Sequence, residues 1–259
     1  MAASPVSTTT TGTYHVEILT RDQVSEAASV MAAAFVNTPS YMEIFRIQNE
    51  PNRRLALQWL LERNITAIQS KDPNALKGIV INGKIVATFC LLSPTSQPTL
   101  WDSIKVGLLW VPFKFGYGTY QRLMKATEHY NQDGCQGKTQ KKDDDDDDDD
   151  NTTYPRSIHT YSLERMTVLP EWQGKGFGSN CVQHCIQHLQ QQHNDNDIPA
   201  VQLVLATQEE RNVHFYSKHG FQVAHEMDYI TSDHHDDDTT NYNYHNWIMK
   251  WVPSSPPKK

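Results

Sequence analysis

The segment of the sequence best suited to chemistry is rich in glycine and reads Gln173-Gly174-Lys175-Gly176-Phe177-Gly178. It follows a strand candidate that ends at Val168, and it opens a helix predicted over 176–193. Glycine lets the backbone approach a ligand closely and adopt positive φ. The unbonded N–H groups of a first helical turn, together with the helix dipole, favour an anion. The segment therefore predicts a phosphate site, to which Lys175 adds a positive charge.

Two common phosphate-binding patterns do not fit this segment. The P-loop pattern GxxxxGK[ST] needs a glycine where Leu169 stands and a Ser or Thr where Gly176 stands. The dinucleotide pattern GxGxxG fails because its last glycine is replaced by Ser179 or, in the other frame, by Cys181. If the loop is considered by itself, the alternative to a phosphate site is a turn that binds no ligand.

A second chemistry-bearing segment lies further along the chain and reads Asn212-Val213-His214-Phe215-Tyr216-Ser217-Lys218-His219-Gly220-Phe221. A phenol with a pKa of about 10 is a suitable proton donor to a departing thiolate. Asparagine is also a favoured helix N-cap, so Asn212 has a structural alternative. The corresponding alternative for Phe215 and Tyr216 is that both are core aromatics on a short helix.

Taken together, the two segments resemble the paired motifs of the GNAT superfamily of N-acetyltransferases. The first is similar to the family's loop for the CoA pyrophosphate, and the second to its pattern Asn-x-x-Phe-Tyr-x-x-x-Gly-Phe. The resemblance covers roughly 158–229, and the order of elements over 14–93 is compatible with it. It implies an acetyl-CoA-dependent enzyme without a metal, which binds this co-substrate through Met166, Thr167, Val168, Gln173, Gly174, Lys175, Gly176, Phe177, Gly178, Ser179, Asn212 and Tyr216.

The same resemblance implies that Tyr216 is the acid and that Glu164 is the base that deprotonates the amine. Strand alternation predicts that Ser162, Glu164 and Met166 share one face of their strand. A carboxylate within a central strand is costly unless it is paired or functional. A salt bridge is therefore the alternative role for Glu164, and His159 is a weaker candidate base.

The acceptor is predicted to be the primary amine of a small molecule, attacked directly in a ternary complex. The aromatic-rich segment 94–130 favours a closed pocket. The alternatives are an acyl-CoA-binding module without turnover and a protein or peptide N-acetyltransferase. The following residues resemble a branch with puromycin-type and related fungal and algal small-molecule enzymes: Trp101, Lys105, Gly107, Pro112, Phe113 and Arg122.

The predicted fold is α/β (α+β): the GNAT fold, with a central mixed, twisted sheet flanked by helices and with splayed parallel strands 4 and 5. Within 14–93 the pattern predicts a strand, two helices around a turn at Pro39, and a hairpin through Asn82-Gly83, a pair that favours a type I′ turn. The second half reads strand, helix, strand, helix, strand, strand over 158–168, 176–193, 201–207, 212–219, 221–229 and 242–252.

The charge distribution separates an acidic insert from the rest of the chain. The net charge is −7, but Asp143 to Asp150 are eight consecutive aspartates, and without them it is −7 + 8 = +1. We expect a single domain over 14–252 with a disordered insert over 131–153, and disordered ends over 1–13 and 253–259. No broad basic surface and no apolar run of about 20 residues is present, so neither nucleic acid nor a membrane is a predicted partner.

The four cysteines, Cys90, Cys135, Cys181 and Cys185, show neither a CxxC pattern nor a disulfide-dense spacing. Reduced thiols in the cytoplasm fit best, with the nucleus as the alternative. Two cysteines and two histidines lie close together in the helix predicted over 176–193. Zinc needs four converging ligands, so core packing is favoured over a metal site there. The oligomeric state is not determined by the sequence.

Overall fold

The computed structural model describes residues 14–132, 158–195, 200–229 and 243–253. They build a seven-stranded sheet in the order β1-β2-β3-β4-β5-β7-β6. The pairs are antiparallel except for β4 and β5, which run parallel. The predicted mixed sheet is confirmed. Its strands are β1 (Val16–Ile18), β2 (Leu76–Ile81), β3 (Lys84–Leu92), β4 (Ile158–Val168), β5 (Ala200–Thr207), β6 (Gln222–Tyr229) and β7 (Tyr244–Trp251).

Helices cover both faces of the sheet and bury two apolar clusters against it. One cluster joins the sheet to α1, α2 and α3, and the other joins it to α7 and α8. The helices are α1 (Val24–Phe35), α2 (Pro39–Phe45), α3 (Glu50–Lys71), α4 (Leu100–Lys105), α5 (Val111–Phe115), α6 (Tyr117–Gln132), α7 (Phe177–Asp195) and α8 (Glu210–Ser217).

The two local predictions in the first half have different outcomes. Asn82 and Gly83 have φ of 52° and 75°, as a type I′ turn between β2 and β3 requires. The turn predicted at Pro39 is wrong, because this residue opens α2 after Thr38 in extended conformation. Proline suits the first helical turn, since its fixed φ is helical and its missing N–H would have no partner there.

Three other sequence-based boundaries are settled by the described residues. The segment 94–130 is partly helical, as predicted, and contains α4, α5 and α6. Helix α6 continues through residues 131 and 132, so the acidic insert begins later than predicted. Helix α8 starts at Glu210, which places Asn212 inside the helix and makes the N-cap alternative for it wrong. The disorder predicted for 1–13, 133–153 and 254–259 lies outside the described residues.

Candidate active site

The central feature of the site is a gap between β4 and β5. The two strands pair only from Ile158 with Ala200 to Ser162 with Val204. Beyond that point β4 continues to Val168 along β3, and β5 continues to Thr207 along β7. We call the space between 163–168 and 205–207 the strand gap. It realises the predicted splay, and it lies at the carboxyl ends of parallel strands, where α/β sheets bind ligands.

A β-bulge at Arg165 deforms β4 beside the strand gap. Thr88 pairs with Thr167 and Cys90 with Glu164, so two residues of β4 lie opposite the single residue Phe89. Arg165 has a φ of 54°, in the left-handed region that L residues rarely adopt. The bulge makes the predicted alternation wrong. Met166 packs with the α7–α8 cluster, whereas Glu164 lies opposite Cys90, which belongs to the cluster of α1, α2 and α3.

The end of β4 turns a backbone amide toward the strand gap. The N–H of Leu169 donates to the carbonyl of Val86 on β3 at 2.9 Å. Because successive amides of a strand point to opposite edges, the N–H of Val168 faces the side from which β5 has separated. The same alternation directs the amide of Thr167 toward β3. The carbonyl of Val168 accepts from Nε2 of Gln173 at 3.0 Å, so the loop folds over this strand end.

The glycine-rich loop presents open backbone to its surroundings. Gly174 and Gly176 have φ of 74° and 87°, and a Cβ at either position would meet no atom within 4 Å. The N–H of Asn180 donates to the carbonyl of Gly176 at 3.0 Å. The amides that precede Asn180 in the first turn of α7 therefore have no acceptor within the helix. Open amides at the start of a helix can bind an anion, and the phosphate site stays a prediction.

Aromatic packing fixes the loop in place. Phe177 is fully buried, with ring centroids 4.3 Å from Tyr14 and 5.5 Å from Trp172. The Lys175 ammonium lies 4.7 Å from the centroid of Trp172. A Cβ at Gly178 would lie 3.3 Å from Cζ of Phe215, which is a tight contact, so glycine favours the close approach of α8 at this position. The two segments singled out in the sequence are in direct contact.

Tyr216 belongs to the second segment and reaches β4 from α8. Its side chain is buried, and its hydroxyl lies 4.0 Å from Sδ of Met166, which follows the bulge. Desolvation by burial, and then the nearby Cys185 and Cys181 thiols, raise the pKa of the phenol above its ordinary value. Tyr216 therefore stays protonated at neutral pH and can only donate its proton.

Asn212 and Gln208 connect three elements at the end of β5. Nδ2 of Asn212 donates to Oγ1 of Thr207, the last residue of the strand, at 3.1 Å. Oε1 of Gln208 accepts from the N–H of Ser40 at 3.3 Å, although the two residues are 168 positions apart. The start of α2 is thereby tied to the same strand end as α8. Arg122 adds a second tie on this side, since its Nε donates to the carbonyl of Ile44 in α2 at 3.0 Å.

Glu164 lies on the face of the sheet opposite to Tyr216 and forms an ion pair with Arg165. The pKa of the Tyr41 hydroxyl is raised by burial, lowered by Arg165 and raised again by Glu164, so this tyrosine of α2 lies near the pair. Burial also raises the pKa of Cys90 to about 12, against the opposing charge of Arg165. The salt-bridge alternative for Glu164 is thus realised. His159, the weaker candidate base, lies where β4 is still paired with β5.

Sequence reasoning missed Arg165, Tyr41 and Gln208. A bulge at a residue other than glycine cannot be recognised from the hydrophobic pattern. The positions of Tyr41 and Gln208 relative to the site follow only from the packing of α2 beside β5. Of the branch-like residues, Lys105, Gly107 and Phe113 line one groove that includes no residue of β4 or β5, and Trp101 and Phe113 are exposed on α4 and α5. Among the described residues, no group of three or more His, Cys, Asp or Glu could hold a metal ion. Cys181 and Cys185 are buried in the core under α7.

Comparisons with known proteins agree with this geometry. Residues 145–223 match the family model described as "Acetyltransferase (GNAT) domain". A search of curated proteins finds no match. Arylalkylamine N-acetyltransferase 2 from Aedes aegypti is similar in structure, with a TM-score of 0.56, 13% identity, and coverage of 93% of this chain and 99% of that chain.

Two further solved structures share the fold. The histone acetyltransferase HPA2 and related acetyltransferase from Corynebacterium glutamicum has a TM-score of 0.52 and 17% identity, over 95% of this chain and 99% of that chain. The polyamine N-acetyltransferase of Drosophila melanogaster has a TM-score of 0.51 and 11% identity, over 92% and 99%. These similarities show that the chain has the fold of GNAT acetyltransferases, and the match to the family model covers residues 145–223.

Proposed function

We propose that this protein transfers the acetyl group of acetyl-CoA to the primary amine of a small molecule, by direct attack in a ternary complex. One observation carries the proposal: β4 and β5 separate where the glycine-rich loop, the Val168 amide and Tyr216 converge. A linear donor with a phosphate group at one end and a reactive thioester at the other suits this arrangement, because the glycine-rich loop leads directly into the strand gap.

Different residues of this chain bind different parts of the acetyl-CoA donor. The open amides of the first turn of α7, with Gly174 and Gly176 in positive φ, suit the pyrophosphate. Lys175 adds a positive charge beside them. Asn212, held by Thr207 at the end of β5, would contact the pantetheine arm in the strand gap. Val168 and Met166 line the opposite side on β4.

The chemistry needs an acceptor for the amine proton, a donor for the oxyanion and a donor for the thiolate. The amine nitrogen forms the C–N bond as the C–S bond breaks. Glu164 takes the proton from the amine, the backbone amide of Val168 faces the developing oxyanion, and Tyr216 gives its proton to sulfur. Glu164 and Tyr216 lie on opposite faces of the sheet, and a group inserted between two strands is open to both faces.

The contacts that hold α2 over the acceptor side favour a small amine. Tyr41 of α2 lies near the Glu164–Arg165 pair, and α2 is tied to the end of β5 by Gln208 and to α6 by Arg122. Related folds act on different acceptors: the names of the similar structures include an arylalkylamine enzyme, a polyamine enzyme and a histone acetyltransferase. The class of acceptor proposed here therefore rests on the site of this chain.

A module that binds acyl-CoA without turnover is the second candidate function. The observation that favours it is the ion pair of Glu164 with Arg165, which engages the candidate base. Such a module would keep the loop and the strand gap but would release no thiol.

The experiment that tests the proposal has two readouts. The first is the melting temperature with and without acetyl-CoA, because a ligand bound only to the folded state at 100 times its Kd stabilises by about 2.7 kcal/mol. The second is thiol release from acetyl-CoA with a panel of small amines and basic peptides. We expect a melting shift and turnover with a small amine. No shift would refute both candidates, a shift without turnover favours the binding module, and turnover with peptides alone identifies a peptide N-acetyltransferase.

A further inference from the structure

An exposed, mainly aromatic surface on α4, α5, the start of α6 and the connections between them takes no part in the proposed acetyl transfer. We call it the aromatic patch. Large apolar side chains of this size rarely stand exposed together on a soluble surface without a binding role. The patch consists of Trp101, 71% exposed, Leu109, 51%, Trp110, 65%, Phe113, 82%, and Tyr117, 65%. Trp110 and Phe113 are neighbours, with ring centroids 5.7 Å apart.

Three cations line a groove of about 590 Å³ that Trp110 and Phe113 of the patch also border. The Arg63 guanidinium stacks on Trp59 at 3.8 Å from the ring centroid, and the Lys114 ammonium lies 5.7 Å from the same ring. The third cation is Lys105, which lies in the last turn of α4, four residues after Trp101. The described lining contains these three cations and no carboxylate. The patch is therefore basic, although the net charge of the whole chain is −7.

We propose that the aromatic patch docks on an anionic lipid surface. Trp, Tyr and Phe settle at the level of lipid headgroups, where an aromatic body meets apolar chains and its edge meets water. Lys and Arg next to them attract anionic headgroups. Lysine beside the exposed aromatic side chains speaks against a protein partner, because interfaces between proteins are depleted in lysine.

Docking of this kind needs no segment that crosses the bilayer. Among the helices that the structure describes, none combines the length and the apolar character that a crossing demands. The sequence-based prediction that a membrane is not a partner rests on the lack of such a segment. A surface patch of short helices binds in the plane of the interface instead. The groove beside the patch shares no lining residue with the strand gap.

The test is sedimentation of the full chain with vesicles of phosphatidylcholine alone and of phosphatidylcholine with phosphatidylserine. We expect binding to the second kind only, weakening as salt is raised. Each lysine near an anionic surface contributes about fivefold to the partition coefficient, so Lys105→Glu with Lys114→Glu should lower it more than about tenfold. Trp110→Ser with Phe113→Ser should lower it as well, through the lost apolar contact.

Two matched variants serve as controls. Lys218→Glu reverses an exposed charge after α8, and Val223→Ser removes an exposed apolar side chain on β6. Both should bind vesicles as the unchanged protein does, and circular dichroism melting should show every variant folded. Equal binding of all variants, or no binding to anionic vesicles, would overturn the proposal. Self-association that the Trp110 and Phe113 substitutions abolish, without vesicle binding, would instead assign the patch to a protein interface.

Discussion

Arg165 forms an ion pair with its chain neighbour Glu164, although consecutive residues of a regular strand point to opposite faces of the sheet. The pair forms because the bulge gives Arg165 a φ of 54° and turns its side chain back toward Glu164. A left-handed residue costs about 1–2 kcal/mol, so the surrounding structure must hold it. The bulge therefore places the Arg165 guanidinium beside the candidate base Glu164. It also determines that Met166 lies on the face of the sheet where it contacts Tyr216.

If Glu164 accepts the amine proton, Glu164→Gln should lower kcat by about 10²–10⁴-fold. Without the base, the reaction depends on amine that is already neutral. At pH values below the pKa of the amine, which is near 10 for a lysine-like amine, the remaining rate should then increase about tenfold for each unit by which the pH is raised. Thiol release over a range of pH measures this. Glu226→Gln, on an exposed strand position, is the control and should leave the profile unchanged. A lower melting temperature with an unaltered pH profile would mean that Glu164 serves only as the partner of Arg165.

Tyr216→Phe should lower kcat by about 10²-fold and leave the affinity for acetyl-CoA nearly unchanged, because only the proton donor is removed. Burial raises the pKa of this phenol above its ordinary value, so its proton is retained throughout the neutral range and is lost only at a pH above about 10. The rate of the unchanged protein should therefore show no decline from Tyr216 between about pH 7 and pH 9. A decline there that disappears in Tyr216→Phe would contradict the assignment.

Gly176→Ala should weaken the binding of acetyl-CoA, because alanine resists the φ of 87° and shifts the loop amides. Loss of one charge-assisted hydrogen bond, about 1.5–3 kcal/mol, corresponds to about tenfold or more in Kd. Gly83→Ala is the matched control, since its φ is 75° and its Cβ would also meet no atom within 4 Å. Both variants should lose similar stability in thermal melting. Calorimetric titration should show weaker binding for Gly176→Ala alone, and equal binding by the two variants would refute the role of the loop.

The buried thiols should be inert to alkylation in the folded protein. Burial raises the pKa of Cys90 and Cys181 to about 12, and that of Cys185 further in the same direction. At pH 8 a thiol with a pKa of 12 is about 0.01% thiolate, which is the reactive form. In a Cys135→Ser background, mass spectrometry should find no adduct with iodoacetamide under native conditions and three adducts in denaturant. Rapid native labelling of any of the three would mean that the core under α7 or β3 opens.

Several elements were predictable because their causes are local. The hairpin at Asn82-Gly83 follows from the tolerance of both residues for positive φ. The glycine-rich loop and the segment around Tyr216 are contiguous in sequence, so spacing alone related each of them to a known family pattern. The turn expected at Pro39 was wrong because proline suits both a turn and a first helical turn. The choice depended on apolar residues of α2, which pack against the core formed with α1 and α3.

The sequence by itself determined the class of fold, the order of the elements and the two segments that frame the site, since hydrophobic period, glycine placement and turn chemistry act over a few residues. Only the tertiary structure decided which face Glu164 occupies. One inserted residue in the pairing of β3 with β4 reverses the alternation, and neither strand encodes that register alone. Three other relationships also depend on surfaces that meet only when the chain has folded. They are the contact of Gly178 with Phe215, the hydrogen bond between Gln208 and Ser40, and the position of exposed aromatic side chains beside Lys105 and Lys114.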